Sequence, residues 1–203
     1  MYSEIDTLGI MHLARSPLHF SYYLENHIQF NNQFDGLAIY LERDIKIPEI
    51  ERLRQNKHFQ VSPPFKWVDN GIKCVCQPHF YTKDIAVWFV RSDNASLCHF
   101  SLQMQVEKLY VLAAWLTRGI EIATGYKPMI VFSALEDYAP HAHGLYMVDL
   151  NTILEGQQEI YGLLEGYRKC CEDENWHSYS SRIEKISLPG KGSGVSTPLT
   201  SWI

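Results

Sequence analysis

Residues 85–90, Ile-Ala-Val-Trp-Phe-Val, are apolar without interruption. A strand wetted on one face alternates apolar and polar side chains, so an unbroken run marks a strand covered on both faces. Covering both faces requires a layer of helices on each side of a sheet, and the rest of the chain has the patterns to supply them.

Helical signals come first. Ser16-Pro17 reads as an N-cap followed by a first-turn proline, and Leu18, Tyr22 and Tyr23 give that helix an apolar side. A short helix is expected over 34–42, and another over 48–56 that opens with Pro-Glu and carries Arg52, Arg54 and Lys57. The period then shortens. Residues 65–68, a turn at Asp69-Asn70-Gly71 and residues 72–81 read as a hairpin, because Asn-Gly favours the left-handed backbone of a tight connection. After the apolar run, one long helix is expected over 101–124, closed by Gly125. Residues 127–135 and 141–148 read as strands, and 151–174 as a helix with Ile153, Ile160, Leu164 and Tyr167 on one side. A three-strand meander, a crossover helix and two returning strands give a mixed α/β sheet with helices on both faces. Residues 1–189 are expected to form a single domain, and 190–203, rich in Gly, Ser and Pro, a flexible tail.

Composition narrows the setting. With 203 residues, 46% hydrophobic and 20% charged, the chain has the make-up of a globular protein and can bury about 70% of its unfolded surface. The opening residues include Glu4 and Asp6 and no basic cluster, which argues against a secretory signal. The longest apolar run, 110–116, is too short to cross a bilayer. Five cysteines without framework spacing fit a reducing compartment, so a cytoplasmic location is expected. The formal charge of −5 argues against a protein coated in nucleic acid, while leaving room for a local basic groove.

Several local sequences recur in a fixed order: Ser16-Pro17-Leu18-His19-Phe20, Gly36-Leu37-Ala38, Trp67 with Gly71-Ile72-Lys73-Cys74-Val75-Cys76-Gln77-Pro78, Ala113-Ala114, and Ser187-Leu188-Pro189. In that order the chain resembles, over residues 16–189, the exodeoxyribonuclease VIII (RecE-like) branch of the PD-(D/E)XK nucleases. The resemblance implies a mixed central sheet of about five strands flanked by helices on both faces. It also implies a site of two carboxylates holding Mg²⁺, one after a proline and one within the third strand. A lysine two residues beyond the second carboxylate and a histidine on an N-terminal helix complete it. Mg²⁺ takes hard oxygen ligands in near-octahedral geometry, and it polarises phosphate and acidifies water.

This chain departs from that pattern at each position. His79 follows Pro78 where the family has aspartate, and the register that keeps residues 92–96 aligned puts Trp88 at the second carboxylate and Val90 at the lysine. The histidine position is Tyr40, and Leu112 replaces the glutamine before the Ala-Ala pair. Sliding the register by one offers only Val87 or Phe89. Lys83 and Asp84 are adjacent, so as strand residues they would point to opposite faces. Glu107, on the following helix, is the candidate for a displaced acid.

Other groups were weighed for chemistry. Cys74 and Cys76 share a strand face, with His79 nearby on the opposite face and Cys98-His99 further along. Zinc takes such ligands, although buried cysteine is a common small hydrophobe. Cys170-Cys171 lacks the spacing of an iron–sulfur site. His141 and His143 fall on one face of a late strand and read as edge or solvent-facing side chains. Lys46, Arg52, Arg54, Lys57 and His58 form the densest basic cluster, read either as a phosphate-tracking patch or as a solvated face offset by Glu49 and Glu51. Trp67, Phe80, Tyr81 and Trp88 can stack on bases, yet aromatics in strands more often form core.

The expectation is a catalytically degenerate relative of a DNA exonuclease, acting as a nucleic-acid- or protein-binding module linked to phage or plasmid recombination or defence. Two alternatives stay open: an active Mg²⁺-dependent exonuclease with displaced ligands, and a structural or inhibitory protein that does not meet DNA. A cofactor, Mg²⁺, is expected only in the active-enzyme alternative. DNA or a recombination or defence protein is the expected partner, the family's rings imply a homo-oligomer, and no membrane association is expected.

Overall fold

A computed structural model of the chain describes residues 4–15, 36, 40, 43, 46–55 and 60–174. Helices α1 (Thr7–Arg15) and α2 (Pro48–Arg54) precede strands β1 (Gln60–Val61), β2 (Phe65–Asp69), β3 (Ile72–Cys76), β4 (Phe80–Tyr81) and β5 (Ile85–Ser92). Helices α3 (Leu97–Val106) and α4 (Leu109–Thr124) follow, then β6 (Met129–Glu136), β7 (His143–Met147) and α5 (Leu150–Asp173). The central sheet is mixed and runs β1-β4-β5-β6-β7. Only β5 and β6 are parallel, and α3 and α4 make the crossover that a parallel pair requires.

Strand β5 is the middle of the fold because its alternating side chains enter two different cores. Ala86, Trp88 and Val90 join the larger one, with α1, α4 and α5. Val87 and Phe89 join the smaller one, with Tyr40, Ile47, Ile50, Phe80 and Leu135. Helices therefore lie on both faces of the sheet, as the apolar run requires.

Local chemistry fixes the connections. Asn70 and Gly71 both have positive φ (47° and 85°), the conformation that a two-residue hairpin loop demands between Asp69 and Ile72. At the end of α4, Gly125 sits at φ 75° with its N–H donating to Glu121 O. Asp149 caps α5 by accepting from the N–H groups of Asn151 and Thr152. Arg118 of α4 ties the layers together, donating to Asp69 Oδ2 at 2.7 Å and to the Tyr161 hydroxyl of α5 at 2.8 Å.

The structure corrects three expectations. The stretch 72–81 is not one strand. Pro78 has no N–H to give a ladder, so β3 stops at Cys76 and β4 starts a new pairing with β5, leaving β2-β3 as a separate two-stranded sheet. The expected helix over 101–124 starts earlier and is broken at Glu107-Lys108, where Lys108 is left-handed (φ 54°). Partners outside the helix hold that break: Arg15 Nε donates to Glu107 O at 3.0 Å, and the Lys108 ammonium pairs with Glu159. His141 precedes β7, in a turn with φ 56° and Nδ1 2.9 Å from Glu136 O, so it does not share a strand face with His143. Helix α1 and strand β1, with no expectation behind them, are both present. The N-terminus reaches the hairpin through Ile5, which bridges Cys74 in parallel fashion. The expected helix from Ser16, most of that over 34–42 and the tail at 190–203 lie outside the described residues.

Helices α4 and α5 touch through Gly156, where an added Cβ would come within 2.3 Å of Tyr110 O and 2.7 Å of Ala114 Cβ. Nothing lies within 4 Å of a Cβ added at Gly162, on the same helix. We therefore expect Gly156→Ala to destabilise the protein by about 1–3 kcal/mol, overpacking outweighing the gain in helix propensity. Gly162→Ala should stabilise it by about 0.5–1 kcal/mol. Urea unfolding of the two variants checks the sign of each.

Candidate functional site

Antiparallel pairing of β4 with β5 matches Phe80 to Val87 and Tyr81 to Ala86, which sets His79 beside Trp88. The two rings stack with centroids 4.2 Å apart and planes at 27°. Both are buried, and Val90 follows on the same face of β5 at 0% exposure. The positions at which the resemblance expects two carboxylates and a lysine thus meet on one face.

Their chemistry is unlike that of a cation site. His79 Nδ1 accepts the Phe89 N–H at 2.9 Å, so that lone pair is engaged and the ring proton sits on Nε2. Trp88 Nε1 is a buried donor with no hydrogen-bond partner. A cation needs lone pairs, whereas this pair offers an N–H and an occupied nitrogen. These residues do not fit Mg²⁺. Among the described residues, no group of three or more His, Cys, Asp or Glu side chains could hold a metal ion.

Tyr40 lies across the sheet from Trp88. Its ring stacks on Phe89 at 4.5 Å, and its hydroxyl donates to Glu51 Oε1 at 2.9 Å. Gly36, one helical turn before it, donates to Phe89 O at 3.0 Å. A Cβ there would meet Val90 backbone atoms at 3.1–3.2 Å, so this close approach favours glycine. Leu112 is core.

Glu107 reaches a different place. It lines a cavity of about 530 Å³ with Arg91, Asp93, His99, Gln103 and Asp137, beside the C-terminal end of β5. Two of the three carboxylates there are held by guanidinium groups. Arg15 pairs with the Glu107 carboxylate at 3.3 Å, and Arg91 grips Asp137 through two bonds of 2.9 and 2.8 Å. Sequence reasoning singled out Glu107 without its partner, because Arg15 is distant in sequence and α1 carried no expectation.

Lys46 and Arg52 are exposed. Helix α2 packs on the Phe89 face through Ile50, so this basic group lies on the side of the sheet away from Trp88 and Val90. Glu51 is engaged with Tyr40 as well as flanking the patch. The side chain of Arg54 and residues Lys57 and His58 lie outside the described ones. Trp67 and Phe80 are buried core, and Tyr81 packs against the larger core.

The possible zinc ligands are not brought together. Cys74 and Cys76 point into the core, with burial pushing both thiols up to about 12, while Cys98 is exposed on α3.

No family model matches the sequence, and neither does any curated protein. Among solved structures the chain is similar to the crystal structure of a candidate exonuclease from Eubacterium rectale. That overlay has a TM-score of 0.59 at 11% identity and covers 95% of this chain and 94% of the other. The structure of the protein SSO0001 overlays with a TM-score of 0.38 at 12% identity, covering 80% of this chain and 77% of that one, too loosely to carry weight. The first likeness shows the fold: a nuclease-like mixed α/β sheet between helices. No helix among the described residues is long and apolar enough to cross a membrane.

Two outcomes follow from the geometry. His79→Phe preserves a ring against Trp88 but strands the Phe89 N–H, and should cost about 1–3 kcal/mol in chemical denaturation. Thiolate is the reactive form of cysteine, so a raised pKa keeps a thiol inert through neutral and mildly alkaline pH. In the folded protein a thiol reagent should therefore modify Cys98 first and leave Cys74 and Cys76 intact until denaturant is added. Mass spectrometry of the labelled peptides reads this directly.

Proposed function

We propose that this chain keeps a nuclease fold without the nuclease reaction, as a degenerate relative of the exodeoxyribonuclease VIII (RecE-like) branch. In this reading it is a nucleic-acid- or protein-binding module in phage or plasmid recombination or defence, cytoplasmic, self-associating and independent of Mg²⁺. One observation carries the proposal: the residues at the two carboxylate positions stack on each other as His79 and Trp88 at 4.2 Å, with Val90 beside them. Polarising a phosphate and generating a water nucleophile both require a held cation, and an indole N–H with a hydrogen-bonded imidazole nitrogen offers it no seat.

The displaced-acid alternative fits less well. Glu107 is paired with Arg15, and Asp137, in the same cavity, with Arg91. A metal there would have to displace two guanidinium groups. Binding of nucleic acid, in turn, would run through Lys46, Arg52, Arg54 and Lys57, because phosphate contacts need basic side chains and these are the most closely clustered in the sequence.

The test uses purified full-length chain and linear duplex DNA. With Mg²⁺ or Mn²⁺ the DNA should remain intact; degradation that Glu107→Gln abolishes would establish the enzyme instead. Without divalent ions, binding should weaken steeply with salt. Lys46→Ala and Arg52→Ala should each lower the slope of log K against log salt by about 1. No affinity even at low salt would leave protein binding as the function of the module.

A further inference from the structure

We propose that β7 is a pairing edge whose occupant is β7 of a second copy of this chain, joined antiparallel about a two-fold axis through Leu145. The backbone assigns the free groups. Val148 N–H donates to Ile130 O at 3.0 Å, and Glu136 N–H donates to Ala142 O at 2.9 Å. Between these bonds, Tyr146 faces Phe132 and Gly144 faces Ala134. Antiparallel ladders alternate bonded and non-bonded pairs. Ala142, Gly144, Tyr146 and Val148 therefore turn their amides toward β6, while His143, Leu145 and Met147 turn theirs outward. Among the described residues β7 is the last strand of the sheet, and those outward groups meet no neighbouring strand there.

The two edges of the sheet are treated differently. At the far edge, β1 is two residues long and leads into Pro63-Pro64, and the carbonyl of Ser62 is taken by the Gln77 side chain at 2.8 Å. Short length and proline are the ordinary means of blocking an edge. β7 has neither. It is five residues long and contains no proline and no charged side chain. The charges that flank it are committed elsewhere, Asp137 to Arg91 and Asp149 to the cap of α5.

Two features favour a second copy over an unrelated strand. The outward residues are spaced evenly about Leu145, so a two-fold sets Leu145 opposite the partner's Leu145. It also sets His143 opposite the partner's Met147 and the converse, and each pair exchanges both backbone hydrogen bonds. The stretch 138–148 carries no charge, so copies of a chain with net charge −5 meet there without like charges facing each other. Exposed apolar side chains flank the ladder at either end: Tyr138 at 72%, and Met147 at 64% with Leu150 at 57%. They add apolar area to a ladder that would be weak by itself. Such a contact closes after one pairing, unlike the head-to-tail contact of a ring. It stands independently of the nuclease reading, since neither nucleic acid nor the His79–Trp88 pair takes part.

Sedimentation velocity of the full chain, without nucleic acid, should show a dimer across the micromolar range that dissociates on dilution. Met147→Pro removes an outward N–H and leaves the β6 ladder untouched; its dissociation constant should rise at least about tenfold, a loss of one good hydrogen bond or more per pair. Combining His143→Lys with Met147→Lys sets ammonium groups opposite each other in both outer pairs, at positions exposed in the single chain. That variant should be monomeric with an unchanged circular dichroism spectrum. A wild-type chain that is monomeric throughout, or an assembly that survives both variants, overturns the proposal.

Discussion

Burial of β5 on both faces is the constraint on which the remaining structure depends. Each residue from Ala86 to Val90 is 5% exposed or less, and the alternation of side chains sends them into two separate cores. A strand so placed has no face for a polar group. An ionised side chain introduced there costs several kcal/mol in lost hydration unless a partner or a metal compensates it. Helix α4 packs against one side, and α2 with Tyr40 against the other, because the strand presents apolar surface to both.

The same constraint explains why the His79–Trp88 pair is self-consistent. Two carboxylates at these adjoining positions would repel each other and would need a bound cation to remain ionised out of water. An imidazole stacked on an indole needs no such counter-charge. The Phe89 N–H, which β4 is too short to satisfy with a carbonyl, is instead satisfied by His79 Nδ1. His79 thus closes a gap in the ladder, a structural role that ties it to the sheet.

Where sequence patterns are local, they read correctly. Asn70-Gly71 forces two positive φ values and makes the hairpin, Gly125 ends α4, and the unbroken run at 85–90 marks the doubly covered strand. The meeting of positions 79 and 88 was implied by the resemblance, which sets both at one site, and not by any local pattern between them. The break at Glu107-Lys108 was not, since its cause is an arginine from α1 and a glutamate from α5 that no local window contains. For the same reason the sequence identified Glu107 as an acid but could not show it neutralised. Pro78 was visible, yet its consequence, the separation of β2-β3 from the central sheet, depends on which strand β5 pairs with beyond it.

The basic residues of α2 and the aromatic pair lie on opposite faces of one strand, so the two groups are set by different packing. Lys46 and Arg52 are held in place by Ile47, Ile50 and Tyr40 packing on Phe89, whereas His79, Trp88 and Val90 belong to the other side. The side chains on the Trp88 side pack one core and those beneath α2 another, so the first can vary without altering the surface that α2 presents. In the cavity at the end of β5 Asp93 adds a third carboxylate to the two that Arg15 and Arg91 hold, so the cavity offers a polyanion no net attraction. The exposed basic side chains of Lys46 and Arg52 therefore lie on a face that the chemistry of positions 79, 88 and 90 does not touch.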